Sequence, residues 1–201
     1  MINLSMYGDN VKNRSCIKYS MGYVKRIVPY MKFKHRRNKM KKKGATVGDQ
    51  TIISSKIIKY ANRNLVVGNS SMIWDSLIDT RAKVKIGNNV IIGAGNTILT
   101  NSHNIDSPEW ETKKYGIEIE DYVWISTNCM ILPSCRHIGK GAVIGAGSVV
   151  VEDVPDFAVM SGNPAKVIKY RKCLHTNLVV ESIHNGDLKI YSKIRKNKKR
   201  I

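Results

Sequence analysis

The sequence predicts an all-β domain built as a parallel β-helix, and three observations predict it. First, aliphatic residues fall six apart at Ile119, Ile125 and Ile131, then after one extra residue at Ile138, Ile144 and Val150. Second, the residues three places after the first five of these are Tyr122, Asn128, Ser134, Gly141 and Gly147, so Asn and Gly recur at one phase. Third, the same period runs from Ile86 through Ile92 and Ile98 to His103, with Asn89, Gly95 and Asn101 as the fourth positions. A period of six is neither the helical nor the alternating one, and internal repetition of this kind marks a solenoid. Three hexads make one triangular coil of three short strands and three tight corners. The aliphatic residue of each hexad points inward and stacks on its counterpart about eighteen residues away, each contributing roughly 1.5–3 kcal/mol. The corners pass through the left-handed region, which Gly adopts freely and Asn better than most. A β-sandwich would instead need period-two strands and hairpin turns.

The chain is 201 residues long, enough for one domain with a sizeable core plus appendages. Cys16, Cys129, Cys135 and Cys173 form no C-x-x-C pair and no zinc spacing, so they read as reduced thiols in a reducing compartment. No apolar run is long enough to span a bilayer, and the N-terminus, with Asp9, lacks the apolar core of a secretory signal. The formal charge of +19 is uneven. Lys32, Lys34, Arg36, Arg37, Lys39, Lys41, Lys42 and Lys43 crowd one segment, and Lys193, Arg195, Lys196, Lys198, Lys199 and Arg200 crowd the other end. Such runs are read first as solvated tails, with an anionic membrane surface as the functional alternative ahead of nucleic acid.

In chain order, residues 1–15 read as a polar, flexible lead. From Cys16 to about Met40 apolar and basic residues interleave at helical spacing, and Pro29 is expected to end or kink the helix near Val28. Its apolar face is expected to cap the base of the β-helix, with a basic face outward. The division is thus a basic amphipathic segment (1–45), the β-helix (46–165) and a C-terminal extension with a basic tail (166–201). Repeats begin weakly with Ile52 and Ile58, then Val67 and Ile73, and 77–85 break phase by one residue. After His103 the hexads stop, and 104–118 form an insertion containing Asp106, Pro108, Glu109, Trp110 and Glu111. Loops of that length in a regular scaffold are usually functional. Leu178-Val179-Val180 and Leu188-Lys189-Ile190-Tyr191 predict short ordered pieces of unassigned role.

At its hexads, at Trp124-Ile125 and in the closing segment from Val149 through Gly162-Asn163-Pro164-Ala165-Lys166, the chain resembles the hexapeptide-repeat acyltransferases. The match covers about 67–171 and points to the subgroup that acetylates sugars and small xenobiotics. The resemblance implies a single-stranded left-handed parallel β-helix, against the general preference for right-handed crossovers. It implies acetyl-CoA as acyl donor, no metal, no nucleic-acid partner, and a homotrimer with sites between adjacent prisms. By the same resemblance His103 is the general base. Neutral imidazole removes the proton from an acceptor hydroxyl as that oxygen attacks the thioester carbonyl, and the proton passes to the departing thiolate. The other ring nitrogen needs a carboxylate or carbonyl; Asp106 and Glu118 are the carboxylate candidates. A backbone N–H near Ser126 would hold the oxyanion, and Trp124 would lie beside the acceptor or pack between subunits. Thr127 and Ala146 match the pantetheine groove, and Lys166 and Lys169 the CoA phosphates. Relatives often carry Thr-Lys where this chain has Val151-Glu152. Gly145-Ala146-Gly147 lacks the third Gly of a dinucleotide loop and opens no helix.

The other histidines weigh less: His137 sits at the one-residue slip and reads as a bulge, while His35, His175 and His184 read as surface residues. The expectation is a cytoplasmic sugar O-acetyltransferase of surface-glycan synthesis, peripheral at the inner face of the membrane. Its rivals are antibiotic or serine acetylation, a trimeric metal hydratase needing three converging histidines, and a non-catalytic scaffold at the membrane surface. The serine enzymes carry a large helical N-terminal domain, for which 1–44 is too short.

Overall fold

The computed structural model describes residues 5–198, with side chains from Met6 to Ile194. Arg195, Lys196, Lys198, Lys199 and Arg200 of the basic tail therefore lie outside the described side chains. The hexads close into a prism with three parallel faces. Face A stacks Thr46–Val47, Leu65–Val67, Val84–Ile86, Ile117–Ile119 and His137–Ile138. Face B stacks Ile52–Ile53, Met72–Ile73, Ile91–Ile92, Trp124–Ile125, Val143–Ile144 and Ala158–Gly162, and ends on the antiparallel strand Ala165–Tyr170. Face C stacks Leu77–Ile78, Thr97–Ile98, Met130–Ile131 and Val149–Val150. The predicted inward residues Ile119, Ile125, Ile131, Ile138, Ile144 and Val150 are all 0% exposed, so the period-six reading identifies the core.

Corner geometry follows residue type. Asn89, Tyr122, Gly141 and, on the same A/B edge, Gln50, Ser70 and Phe157 have φ between 53° and 68°; at the B/C edge Gly95, Asn128 and Gly147 have φ between 56° and 77°. Ser134 does not join them, because the C/A edge turns by wider loops. There the extra residue between Ile131 and Ile138 is absorbed in the corner, where Asp153 Oδ1 accepts from the backbone N–H groups of Arg136 (2.6 Å) and His137 (2.9 Å). His137 is consequently no bulge: it sits in register opposite Glu118, its Nε2 3.0 Å from Glu120 Oε1. The first coil departs from the expected phase. Its third side is the 3-10 helix Ser55–Tyr60, whose Ile57 is buried in the core, while Ile58 is only partly buried. Ile53 rather than Ile52 points inward.

Three expectations about the N-terminal region are corrected. The lead is not featureless, because helix α1 (Ser5–Lys12) buries Val11 against Tyr191 and Ile194. Helix α2 (Cys16–Lys42) runs through Pro29 without a break. The lost hydrogen bond and ring clash of an interior proline are outweighed because α2 is anchored on both sides. Before Pro29, Arg26 Nε pairs with Asp187 Oδ1 at 2.9 Å; after it, Arg36 and Arg37 donate to the carbonyls of Ile53 (2.8 Å) and Thr51 (2.9 Å). Met40 enters the prism core, so α2 caps its base, but not through the expected face: Gly22, Arg26, Phe33, Arg37 and Met40 are buried, while the apolar Ile17, Met21, Val24, Ile27, Val28 and Met31 stay exposed. Among the described residues no helix is long and apolar enough to cross a membrane. Cys129 and Cys135 are buried free thiols, and desolvation pushes Cys135 up to about 12.

Beyond Tyr170 the chain turns back along the A/B edge. Leu174 meets Gly141, His175 meets Asn89 and Tyr122, Val180 packs with Phe33, Ile52 and Met72, and helix α3 (Leu188–Lys198) docks on α1 and α2. His175 and His184 are thus structural rather than plain surface groups. The His184 ring stacks on Trp74, centroids 4.0 Å apart. His175 Nε2–H donates to the Asn89 carbonyl at 3.0 Å, and Arg171 Nη2 lies 3.4 Å from its Nδ1. Burial, then the Arg171 charge, lowers the His175 pKa. Because the unfolded chain takes up this proton first, the contribution of His175 is complete above pH ~6.5 and is lost as pH falls below that value. The urea midpoint of the parent should therefore fall relative to that of His175→Gln as pH goes from ~7.5 to ~5.5. An equal pH dependence in the two proteins would refute the stabilising role of buried, neutral His175.

Candidate functional site

The polar interruption is a β-hairpin that rises from the C/A edge. Asn101–His103 pairs antiparallel with Thr112–Lys114, placing His103 opposite Thr112. The predicted loop 104–118 is thereby re-bounded: the hairpin already starts at Asn101, and Ile117–Ile119 belongs to face A. Asn101 is accordingly not a corner residue, and His103 stands on a hairpin strand rather than at the end of a coil. The turn between the strands is closed by Asn104, whose N–H donates to the Glu111 carbonyl (2.9 Å) and whose Nδ2 donates to Glu111 Oε1 (2.6 Å).

This turn brings Trp110 back over His103. The Trp110 carbonyl lies 2.8 Å from His103 Nδ1, and the two rings stack with centroids 5.6 Å apart. A carbonyl only accepts, so Nδ1 carries the proton and the Nε2 lone pair is left facing out on an exposed ring. The orienting group is therefore a backbone carbonyl and not Asp106 or Glu118. Glu118 is instead ion-paired with Lys85 at 2.5 Å, which, through that hydrogen bond first, lowers its pKa. Trp110 holds φ at 50°, unusual for a bulky residue and located where its carbonyl must be aimed. The residue type at 110 gave no sign of this role. The turn-rich Asn104, Asp106, Ser107 and Pro108 could have signalled a hairpin returning near 110.

The remaining candidates lie elsewhere on the prism. Trp124 projects from face B, 46% exposed, between Ile91 and Val143 on the neighbouring coils. Ser126 follows it, but its N–H already donates to the Ile144 carbonyl at 3.0 Å, so that group is not available as the oxyanion donor. Thr127 and Ala146 are exposed at the B/C edge on adjacent coils, tied by the Gly147 N–H to the Thr127 carbonyl at 2.9 Å. A Cβ at Gly147 would meet nothing within 4 Å, so this edge is an open shelf of small residues and backbone. Lys166 and Lys169 sit on the closing strand of face B; Lys166 pairs with Glu152 at 3.1 Å, so the residue that departs from the resembling pattern takes up part of its charge. Within one chain the His103 hairpin is at the C/A edge while Trp124, Thr127 and Ala146 are on face B and the B/C edge. The fold does not bring the two groups together.

No protein-family model matches the chain. The chain is similar to the galactoside O-acetyltransferase of Escherichia coli, 30% identical over 138 residues that span 67% of this chain and 68% of that protein. It is also similar to the galactoside O-acetyltransferase of Lactococcus lactis, 33% identical over 136 residues, 66% of this chain and 54% of that protein. Over several other curated relatives the match spans about half of the relative's length. Among solved structures, a hexapeptide-repeat-containing acetyltransferase from Vibrio cholerae superposes with a TM-score of 0.60 at 24% identity, covering 84% of this chain and 95% of that one. That likeness is one of fold, the left-handed parallel β-helix.

Proposed function

The chain belongs to the hexapeptide-repeat acetyltransferase family, and from that premise we propose that it transfers the acetyl group of acetyl-CoA to a sugar hydroxyl, with His103 as general base. The observation that carries this reading is the hydrogen bond from His103 Nδ1 to the Trp110 carbonyl, which leaves Nε2 as the proton acceptor. In the reaction Nε2 takes the hydroxyl proton while the oxygen attacks the thioester carbonyl. The C–S bond of the tetrahedral adduct then breaks, and the imidazolium returns its proton to the CoA thiolate. A group fixed on a paired hairpin strand loses little freedom in reaching that geometry.

The residues along the B/C edge suit the donor. A pantetheine arm is thin and amide-rich, and Thr127 and Ala146 offer small side chains beside the open space at Gly147. Lys169 supplies a cation near the closing strand, and Lys166 supplies one shared with Glu152. Exposed ion pairs of this kind are weak enough to rearrange around a phosphate. Trp124 offers a flat apolar face to a sugar ring. Because the hairpin and the face-B groups occupy different edges of one prism, the complete site is assigned to the groove between neighbouring chains of a homotrimer. A surface-glycan precursor is the narrower acceptor reading, since a basic α2 would hold the enzyme near lipid-linked glycans.

Calorimetric titration with CoA, sedimentation equilibrium, and thiol release from acetyl-CoA in the presence of galactosides, maltosides and glycan fragments test this together. The expected result is CoA binding, a trimer mass and acceptor-dependent thiol release. A folded chain that neither binds CoA nor turns over acetyl-CoA would place it among non-catalytic scaffolds.

A further inference from the structure

Helix α2 buries one face and leaves a second, apolar one uncovered. Its inner face, Gly22, Arg26, Phe33, Arg37 and Met40, is buried against the prism and α3. On the opposite side Ile17, Met21, Val24, Val28 and Met31 recur at alternating spacings of four and three and are 75%, 58%, 64%, 71% and 55% exposed. At about 100° per residue these five fall within one sector centred opposite the packed face. Ile27, 39% exposed, widens it. Scattered exposed apolar residues need no explanation, but a continuous stripe four turns long does.

The charges beside the stripe identify what covers it. Exposed Lys18, Lys25 and Lys32 run down one flank, Lys34 stands on the other, and Lys39 and Lys42 continue the outer face toward the end of the helix. Helix α2 contains no Asp or Glu. A second copy of α2 laid along the stripe would set lysines against lysines in either orientation, the reverse of the paired charges that support helix–helix seams. Next to the stripe is a cavity of ≈420 Å³ lined by Arg14, Lys18, Met21, Gly22, Lys25, Arg26 and Asn185, so apolar and basic groups open onto the same surface.

We propose that the outer face of α2 is a membrane-binding surface: the stripe from Ile17 to Met31 enters the acyl boundary of an anionic bilayer while Lys18, Lys25, Lys32 and Lys39 engage its phosphates. A helix with lysines at the rim of an apolar sector, lying parallel to the surface, suits an interfacial position. The inference stands apart from the acyl-transfer reading, because none of its observations involves the His103 hairpin, face B or the B/C edge.

The test is co-flotation of the full chain with vesicles of pure phosphatidylcholine and with vesicles containing about 30% phosphatidylglycerol. Flotation with the anionic vesicles only, weakened by salt, is expected. The triple variant Lys18→Gln/Lys25→Gln/Lys32→Gln should lower the partition coefficient about fivefold per lysine, roughly 100-fold in all. Val24→Asp/Val28→Asp should abolish flotation; should that protein melt early, the lysine variant, confined to exposed side chains, carries the test alone. Absence of flotation by the folded parent, equal binding to both vesicle types, or lysine variants that bind like the parent would overturn the proposal. So would a changed sedimentation mass in Val24→Asp/Val28→Asp with vesicle binding intact, which would assign the stripe to another copy.

Discussion

Replacing His103 by alanine is expected to lower the turnover of acetyl transfer by roughly 10²–10⁴-fold, the range supplied by a positioned general base. The ring is exposed and makes one hydrogen bond and one stacking contact, so removing it opens no core cavity. Unfolding should stay within about 0.5 kcal/mol of the parent. The informative comparison is Trp110→Ala. It removes the stacked indole but keeps the carbonyl that orients Nδ1, and its loss should stay below about tenfold, the equivalent of one aromatic contact. Thiol-release kinetics on the two variants, with thermal melts alongside, check both. Unchanged acceptor-dependent turnover in His103→Ala would remove this residue from the chemistry.

A second large effect is expected far from the hairpin. Asp187→Ala should destabilise the chain by about 3–5 kcal/mol, because it strands a buried guanidinium. The Arg26 and Asp187 side chains are 8% and 0% exposed, joined at 2.9 Å, and the Tyr7 hydroxyl donates to the second carboxylate oxygen. Burial pushes the Asp187 carboxyl up to about 6 and lowers the Arg26 guanidinium, yet both remain charged at neutral pH. Arg26 also lies 4.1 Å over the Tyr191 ring, so the pair pins α1, α2 and α3 together. The double replacement Arg26→Met/Asp187→Leu should be less damaging than Asp187→Ala, since removing both charges leaves none uncompensated. Urea midpoints of the two variants decide it; a single replacement no worse than the double would show that the pair is not what holds the helices.

Much of this architecture was legible in the hexads, for a simple reason. Each coil repeats the same inward position, so Ile119, Ile125 and Ile131 announce the prism without any knowledge of what they touch. Asn128 and Gly141 announce corners because Asn and Gly adopt positive φ at least cost, whereas the corners at Gln50, Ser70, Tyr122 and Phe157 carry no such mark. Where the pattern was polar, the reading slipped: Asn101-Ser102-His103 kept the count of six but belongs to a hairpin, since nothing in three polar residues separates a coil edge from a hairpin strand. Pro29 was read by its local cost, which tertiary anchoring overrode. Asp106 and Glu118 looked like partners for His103 because carboxylates are visible in a sequence, whereas backbone carbonyls such as that of Trp110 are present at every residue.

Periodicity and residue type suffice for the prism, its inward stack, the interruption after His103 and the basic, apolar character of α2. The orienting carbonyl of Trp110, the return of the tail along the A/B edge and the uncovered face of α2 emerge only on folding. Those depend on contacts between residues far apart in the chain, Arg26 with Asp187 and Phe33 with Val180 among them, and no local pattern encodes which distant partner arrives.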